Sequence, residues 1–227
     1  MTTQPSAPAD TQMMGIVHNA LRRDLTRAAA ALSSEPAPGD EQRVALAQHI
    51  QAMMRFLHGH HAGEDDWLWP TMRRLNPGAR DLLDQMEADH LAIAPHMAKV
   101  TDAGAAYERS ADGRQALEHA VRDLQGTLNP HLRREEDEVM PLVASTLTAA
   151  QWDAWEDEYY VKPKTRQELG MEGHWLIDGG DRAVYDHVVG KVNPVLRFVL
   201  VRLFGPRYRR VCATRWGGDV AVGPNPG

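Results

Sequence analysis

The chain carries one phrase twice: His60-x3-Glu64-x5-Pro70 and His131-x3-Glu135-x5-Pro141, each preceded by an isolated histidine, His18 and His90. The isolated histidines stand 72 residues apart and the His/Glu pairs 71 apart, while most of the surrounding letters differ. On a helix, residues i and i+4 differ by about 40° around the axis, so an imidazole and a carboxylate at this spacing project from one face. Two such helices, with one histidine from each of two more, bring four imidazoles and two carboxylates to a common centre. That is a donor set for two metal ions. Each ion takes two nitrogens, the carboxylates bridge, and positions stay open for water, dioxygen or another small ligand.

The rest of the pattern supplies the four helices. Apolar residues recur at helical spacing through Ile16, Val17, Leu21 and Leu25, up to a breaker at 33–40. A second stripe runs from about residue 41 through Leu46, Ile50, Met53 and Leu57 into His60 and Glu64, and is expected to end near Pro70. A third covers 79 to about 106, with Leu83, Met86, His90, Ile93 and Met97 in register and a kink expected at Pro95. The fourth, from about 112 to 145, aligns Leu117, Val121, Leu124, Leu128, His131, Glu135 and Val139. The expectation is an all-α fold, an up-down-up-down four-helix bundle over 11–147. A disordered start at 1–10, an extension at 148–216 that packs on the bundle, and a disordered tail at 217–227 complete the domain reading. The extension opens with a capping-box signature at Thr148 and Gln151, followed by a short helix through Trp152 and Trp155. One further helix is expected there, from Pro194 to about Phe204.

Charge and cysteine usage narrow the function classes. The net charge of -6 argues against a general nucleic-acid binder. Residues 161–216 nevertheless hold 11 Lys/Arg against 5 Asp/Glu, so the remainder is strongly acidic. The basic segment, with Arg202, Arg207, Arg209, Arg210 and Arg215 interleaved with Phe204, Tyr208 and Trp216, is read as a docking element, foremost for the acidic bundle of its own chain. The lone Cys212 rules out an internal disulfide and suits a reducing cytoplasm, the expected location. No signal peptide or membrane span is visible, since Arg197 and Arg202 interrupt the most apolar stretch.

Competing metal-site designs fail on spacing. Ferritin-like bundles use two Glu-x-x-His pairs, and only Glu87-x-x-His90 is present. Glu87 reads as an orienting partner or a surface charge. Zinc favours closed sites, often with thiolate, and Cys212 is remote. His61 leaves an alternative open, because it pairs at i+4 with Asp65 and can serve as a fifth nitrogen donor. His49, His58, His96 and His119 read as packing or surface residues, and the methionines Met53, Met54, Met72, Met86 and Met97 as core filling.

The doubled motif resembles the hemerythrin-like proteins of the HHE cation-binding family, over about residues 10–160. The resemblance implies that His18, His60, Glu64, His90, His131 and Glu135 are metal ligands. It implies two iron ions, oxo- or hydroxo-bridged, and a small ligand such as dioxygen, peroxide or nitric oxide. Two departures stand out. Oxygen-carrying hemerythrins place another histidine one turn after the third-helix one, where this chain has Ala94, and they space the last histidine and carboxylate by five rather than four. Both departures argue against reversible oxygen carriage. They leave ligand sensing or a stress response, with a peroxide-decomposing or oxidising enzyme as the alternative.

Overall fold

Helical spacing of apolar residues sets the first element, α1 (Gln12–Leu32), which buries Met14, His18, Leu21, Leu25, Ala28 and Leu32 along one stripe. The structure, a computed structural model, describes residues 7–192 and 194–218, without the side chains of 194–196, 199 and 200. α2 (Asp40–Gly63) opens on Asp40 and Glu41, whose charge suits the positive end of a helix. It buries Leu46, Ile50, Met53, Leu57, His60 and His61.

The expected stop near Pro70 does not occur. A π-helical turn (Glu64–Leu68) carries the rod onward into α3 (Trp69–Leu75). After α4 (Arg80–Arg109), which runs through Pro95, the same event recurs: α5 (Arg114–Arg134) passes through a π turn (Glu135–Val139) into α6 (Met140–Thr146). The repeated proline explains both. Proline has no N–H and its ring crowds the preceding turn. A widened turn, in which Trp69 N–H reaches the Glu64 carbonyl and Met140 N–H that of Glu135, accommodates the missing donor without ending the helix. Each π turn starts at the carboxylate of the repeat.

Beyond these rods lie α7 (Ala149–Glu156), a third π turn (Asp157–Val161), α8 (Arg166–Ile177), α9 (Arg182–Gly190) and α10 (Pro194–Trp216). Thr148 with Gln151, and Thr165 with Glu168, form reciprocal capping boxes, and Asp181 caps α9. The helix expected to end near Phe204 runs on to Trp216 across Pro206. Tyr208, Cys212 and Trp216, at four-residue steps, are buried against the bundle core, and that burial outweighs the bond proline removes. Among the described residues there is no strand. An isolated bridge joins Pro8 to Thr148, with Ala9 N–H donating to the Leu147 carbonyl and Ala149 N–H to that of Ala7. The parts of the expected disordered ends at 1–6 and 219–227 lie outside the described residues. No helix among the described residues is long and apolar enough to cross a membrane.

α2 packs along α4, α4 along α5, and α5 along α1, with α1 also touching α2. Two apolar clusters fill the interior. One gathers Leu21, Leu25, Ile50, Leu57, Ile93, Val100, Leu124 and Leu128, and the other Met14, Leu68, Trp69, Met72, Leu83, Met86, Val139, Val143, Trp152 and Trp155. Along α1 and α4 the chain passes from the second cluster to the first, and along α2 and α5 it returns. In every rod the crossing falls at a histidine of the repeat, so the polar side chains form one layer between two apolar ones.

The extension is fastened to the bundle through a buried hub. Asp24, fully buried on α1, accepts from His49 Nε2 at 2.8 Å, Trp175 Nε1 at 3.0 Å and Arg23 Nε at 2.8 Å. Arg27 joins Asp24 to Asp178, which also accepts from the Tyr208 hydroxyl at 3.2 Å. Within the basic segment, then, Tyr208, Arg215 and Trp216 are buried in their own chain. His49 belongs to this network.

Candidate metal centre

All six residues of the doubled motif converge. His18, Glu64 and Glu135 are completely buried, and His60, His90 and His131 nearly so. Glu64 points one oxygen to each side: Oε1 lies 3.2 Å from His60 Nε2 and Oε2 lies 3.3 Å from His90 Nε2. Glu135 does likewise with a single oxygen, its Oε2 lying 3.3 Å from His18 Nε2 and 3.9 Å from His131 Nε2. His18 Nε2 and His60 Nε2 face each other at 3.2 Å. Two clusters of closely spaced donors result: His18, His60 and Glu135 on one side, and His61, His90 and His131 on the other. His61, left open by the sequence, stacks on His90 with ring centroids 4.0 Å apart and is buried with the rest.

The outward-facing nitrogens of His18 and His90 are held by carboxylates that the motif did not single out, and that of His131 has one nearby. His18 Nδ1 meets Glu136 Oε1 at 2.8 Å, and His90 Nδ1 meets Asp65 Oδ1 at 2.8 Å. His131 Nδ1 lies 3.6 Å from Asp89 Oδ2, and Asp89 is also bound by Arg134. A carboxylate at Nδ1 fixes the proton there and turns the Nε2 lone pair inward, the tautomer a metal ligand needs. The sequence does hold a signal for two of them. In both repeats the residue after the inward glutamate is acidic, Asp65 and Glu136, and each reaches the isolated histidine of a neighbouring helix. Asp89 precedes His90, whereas the residue preceding His18 is Val17, which has no acceptor, so His60 lacks the counterpart. Glu87 is a surface charge, half exposed and paired with Arg73.

The layer is costly as bare protein. Both oxygens of Glu64 and of Glu135, and the Nε2 atoms of His61, His90 and His131, are buried with no hydrogen-bond partner. Groups of this kind are destabilising unless something compensates them. Burial, reinforced by the facing Glu135 charge, pushes the Glu64 carboxyl up to about 8. Burial also opposes ionisation of Glu135, yet His18, His60 and His131 hold it low, at about 2. Against the burial penalty, Glu135 and Glu136 keep His18 protonated up to about 9, and Asp65 and Glu64 keep His90 so up to about 10. Burial and the neighbouring imidazoles depress His60 to about 3 and His61 well below its ordinary value. Burial is also the main cause of the drop at His131, to about 4. Protons on His18, His90 and Glu64 thus stand where cations would stand, and a pair of divalent ions fits the orphaned donors in number, type and position.

Aromatic residues close the layer from the extension side. Tyr160 donates its hydroxyl to the His60 carbonyl at 3.2 Å and Trp155 donates Nε1 to the Gly63 carbonyl at 2.9 Å, fastening the third π turn and α7 to the end of α2. Gly63 is required here, since a Cβ would lie 2.8 Å from the Tyr160 hydroxyl. Neither a curated protein nor a solved structure matches the chain. Residues 11–143, which contain all six repeat residues and the first two π turns, match the hemerythrin HHE cation binding domain, and the chain belongs to that family.

Proposed function

We propose that the protein holds two iron ions in this layer and binds or reacts with a small ligand, dioxygen, peroxide or nitric oxide, in sensing or in oxidative or nitrosative stress. The rods α1, α2–α3, α4 and α5–α6 serve as the expected up-down-up-down bundle. His18 and His60 would hold one ion and His61, His90 and His131 the other, with the Glu64 and Glu135 carboxylates supplying oxygen donors between the two clusters. The observation that carries this reading is Glu64, whose two buried oxygens each lie within 3.3 Å of a histidine from opposite clusters. Bound iron would supply reducing electrons and coordination positions for the incoming ligand. Asp65 and Glu136 orient His90 and His18, and Trp69, Phe56 and Tyr160 keep bulk water from the layer. The side of His18 and His60 would offer two imidazoles, against three on the side of His61, His90 and His131. His61 takes the place of the histidine missing at Ala94. The lone Cys212 is in keeping with a reducing cytoplasm.

Anaerobic ferrous reconstitution tests this, with iron counted per chain and oxygen, peroxide and nitric oxide added separately under optical spectroscopy. About two irons per chain and a distinct spectrum with one of the three ligands support the reading. An iron-loaded preparation that stays metal-free overturns it. A second reading, an enzyme acting on peroxide or an organic molecule, is favoured by the cavity beside His60. Steady consumption of peroxide or oxygen, abolished in His60→Ala, would select it.

A further inference from the structure

A cavity of about 430 Å³ lies where the extension meets the bundle, within the ~300–1,000 Å³ typical of small-molecule sites. Its walls come from α1, α2, α7, α8, α9 and α10, so it exists only because the extension is docked. The lining is overwhelmingly apolar, with Met13, Val17, Phe56, Trp155, Leu169 and Val188 among its residues. One member of the candidate centre, His60, forms part of the wall. The cavity thus abuts the His18 and His60 side of the candidate centre and offers space suited to hydrocarbon.

The charges on its wall are nearly all matched. Glu156 is bound by Lys191, and Glu172 by Lys164. His174 also has a partner. Arg197, on α10, lines the cavity with no acidic side chain of the described residues within ion-pair distance. An apolar chamber whose wall holds a guanidinium paired with no acid of the described residues selects an apolar molecule that ends in an acid, since the planar fork of arginine matches a carboxylate. Space for such a molecule is kept open at Gly173, another wall residue, where an added Cβ would meet no atom within 4 Å.

We propose that this cavity binds an elongated aliphatic carboxylate, its acid at Arg197 and its chain laid against Phe56, Trp155 and His60. Binding needs only the docked extension, while its service to the metal layer rests on the function proposed above. The test therefore separates the two by using both the metal-free and the iron-loaded full chain. Dodecanoate below its micellar concentration and dodecanol below its solubility limit are titrated against tryptophan fluorescence, to which the cavity residues Trp152 and Trp155 contribute, with calorimetry as the second readout. The expected result is saturable binding of about one dodecanoate per chain in both forms. Arg197→Ala should weaken dodecanoate about tenfold and leave dodecanol nearly unchanged. Gly173→Phe, and independently Val188→Trp, should fill the chamber and weaken both probes; each variant is checked for native helicity by circular dichroism. If wild-type chain shows no saturable dodecanoate binding, or if neither filling variant weakens it, the site is refuted. Equal loss of both probes in Arg197→Ala refutes the assignment of the acid. Dodecanoate binding by a chain that takes up no iron would overturn the proposed function and leave the cavity standing.

Discussion

Asp65 and Glu136 give the sharpest test of how the centre is organised. Each sits one residue beyond an inward glutamate, and each contacts the Nδ1 of an isolated histidine at 2.8 Å. If their role is to fix the tautomer and ring angle, Asp65→Asn and Glu136→Gln should each lower iron affinity by about 10- to 100-fold, roughly 1.4–2.7 kcal/mol. Folding stability should change less than iron affinity, because the amide oxygen of Asn or Gln still accepts from Nδ1 of the buried imidazole. Glu136 also pairs with Arg22 at 2.8 Å, so Arg22→Met serves as the control that removes the pair and keeps the histidine contact. Asp89 should matter less. It stands 3.6 Å from His131 Nδ1, outside hydrogen-bond range, and Asp89→Asn should cost under about tenfold. The assay is anaerobic competition of the ferrous protein with a chromophoric chelator, with iron counted at each step. Because Asp65 and Glu136 serve histidines of opposite clusters, each variant should lose chiefly one of the two ions at intermediate chelator. Unchanged affinity in Asp65→Asn, or a loss in Asp89→Asn as large as in the other two, would refute the reasoning.

Three further outcomes follow from the packing. Asp24→Ala should cost about 3–5 kcal/mol in urea unfolding, since it strips a buried hub, leaves the Trp175 indole N–H and His49 Nε2 without their acceptor, and leaves Arg23 and Arg27 to Asp178 alone; a cost below about 1 kcal/mol would contradict that role. Burial, aided by Arg215, holds His49 down at about 4. Between its ordinary value and about 4 the unfolded chain therefore binds a proton that the folded chain does not, and stability falls as the solution is acidified through that window. His49→Gln keeps a donor for Asp24 without a titrating ring, so its urea midpoint should drop less between pH 7 and pH 5 than that of wild type, and an identical drop would contradict the assignment. Gly63→Ala should cost about 1–3 kcal/mol through its 2.8 Å approach to the Tyr160 hydroxyl, and Tyr160→Phe in the same chain should recover part of it, as thermal unfolding would show.

The sequence by itself determined the centre's core. His18, His60, Glu64, His90, His131 and Glu135 were legible because metal-ligating residue types recurred at helical spacing on stripes otherwise apolar, and periodicity fixes which residues share a face. It also determined the four rods, since each stripe is long enough to need a partner. What it left undecided were properties of more than one helix. His61 and His60 are neighbours in sequence, and only the packing of α4 against α2 brings His61 onto His90. Neither Asp65, in sequence the i+4 partner of His61, nor Glu136 could be tied to His90 or His18 before a neighbouring helix places an imidazole beside each. The π turns were hidden as well, because a proline in a periodic stretch signals an end unless tertiary burial of Trp69, Met72 and Val143 rewards continuation. The full reach of α10 and the chamber beside His60 were decided in the same way. Local spacing records what one helix can present, whereas a cavity or a second-helix partner arises only when separate faces meet, and no single stretch of the chain encodes that meeting.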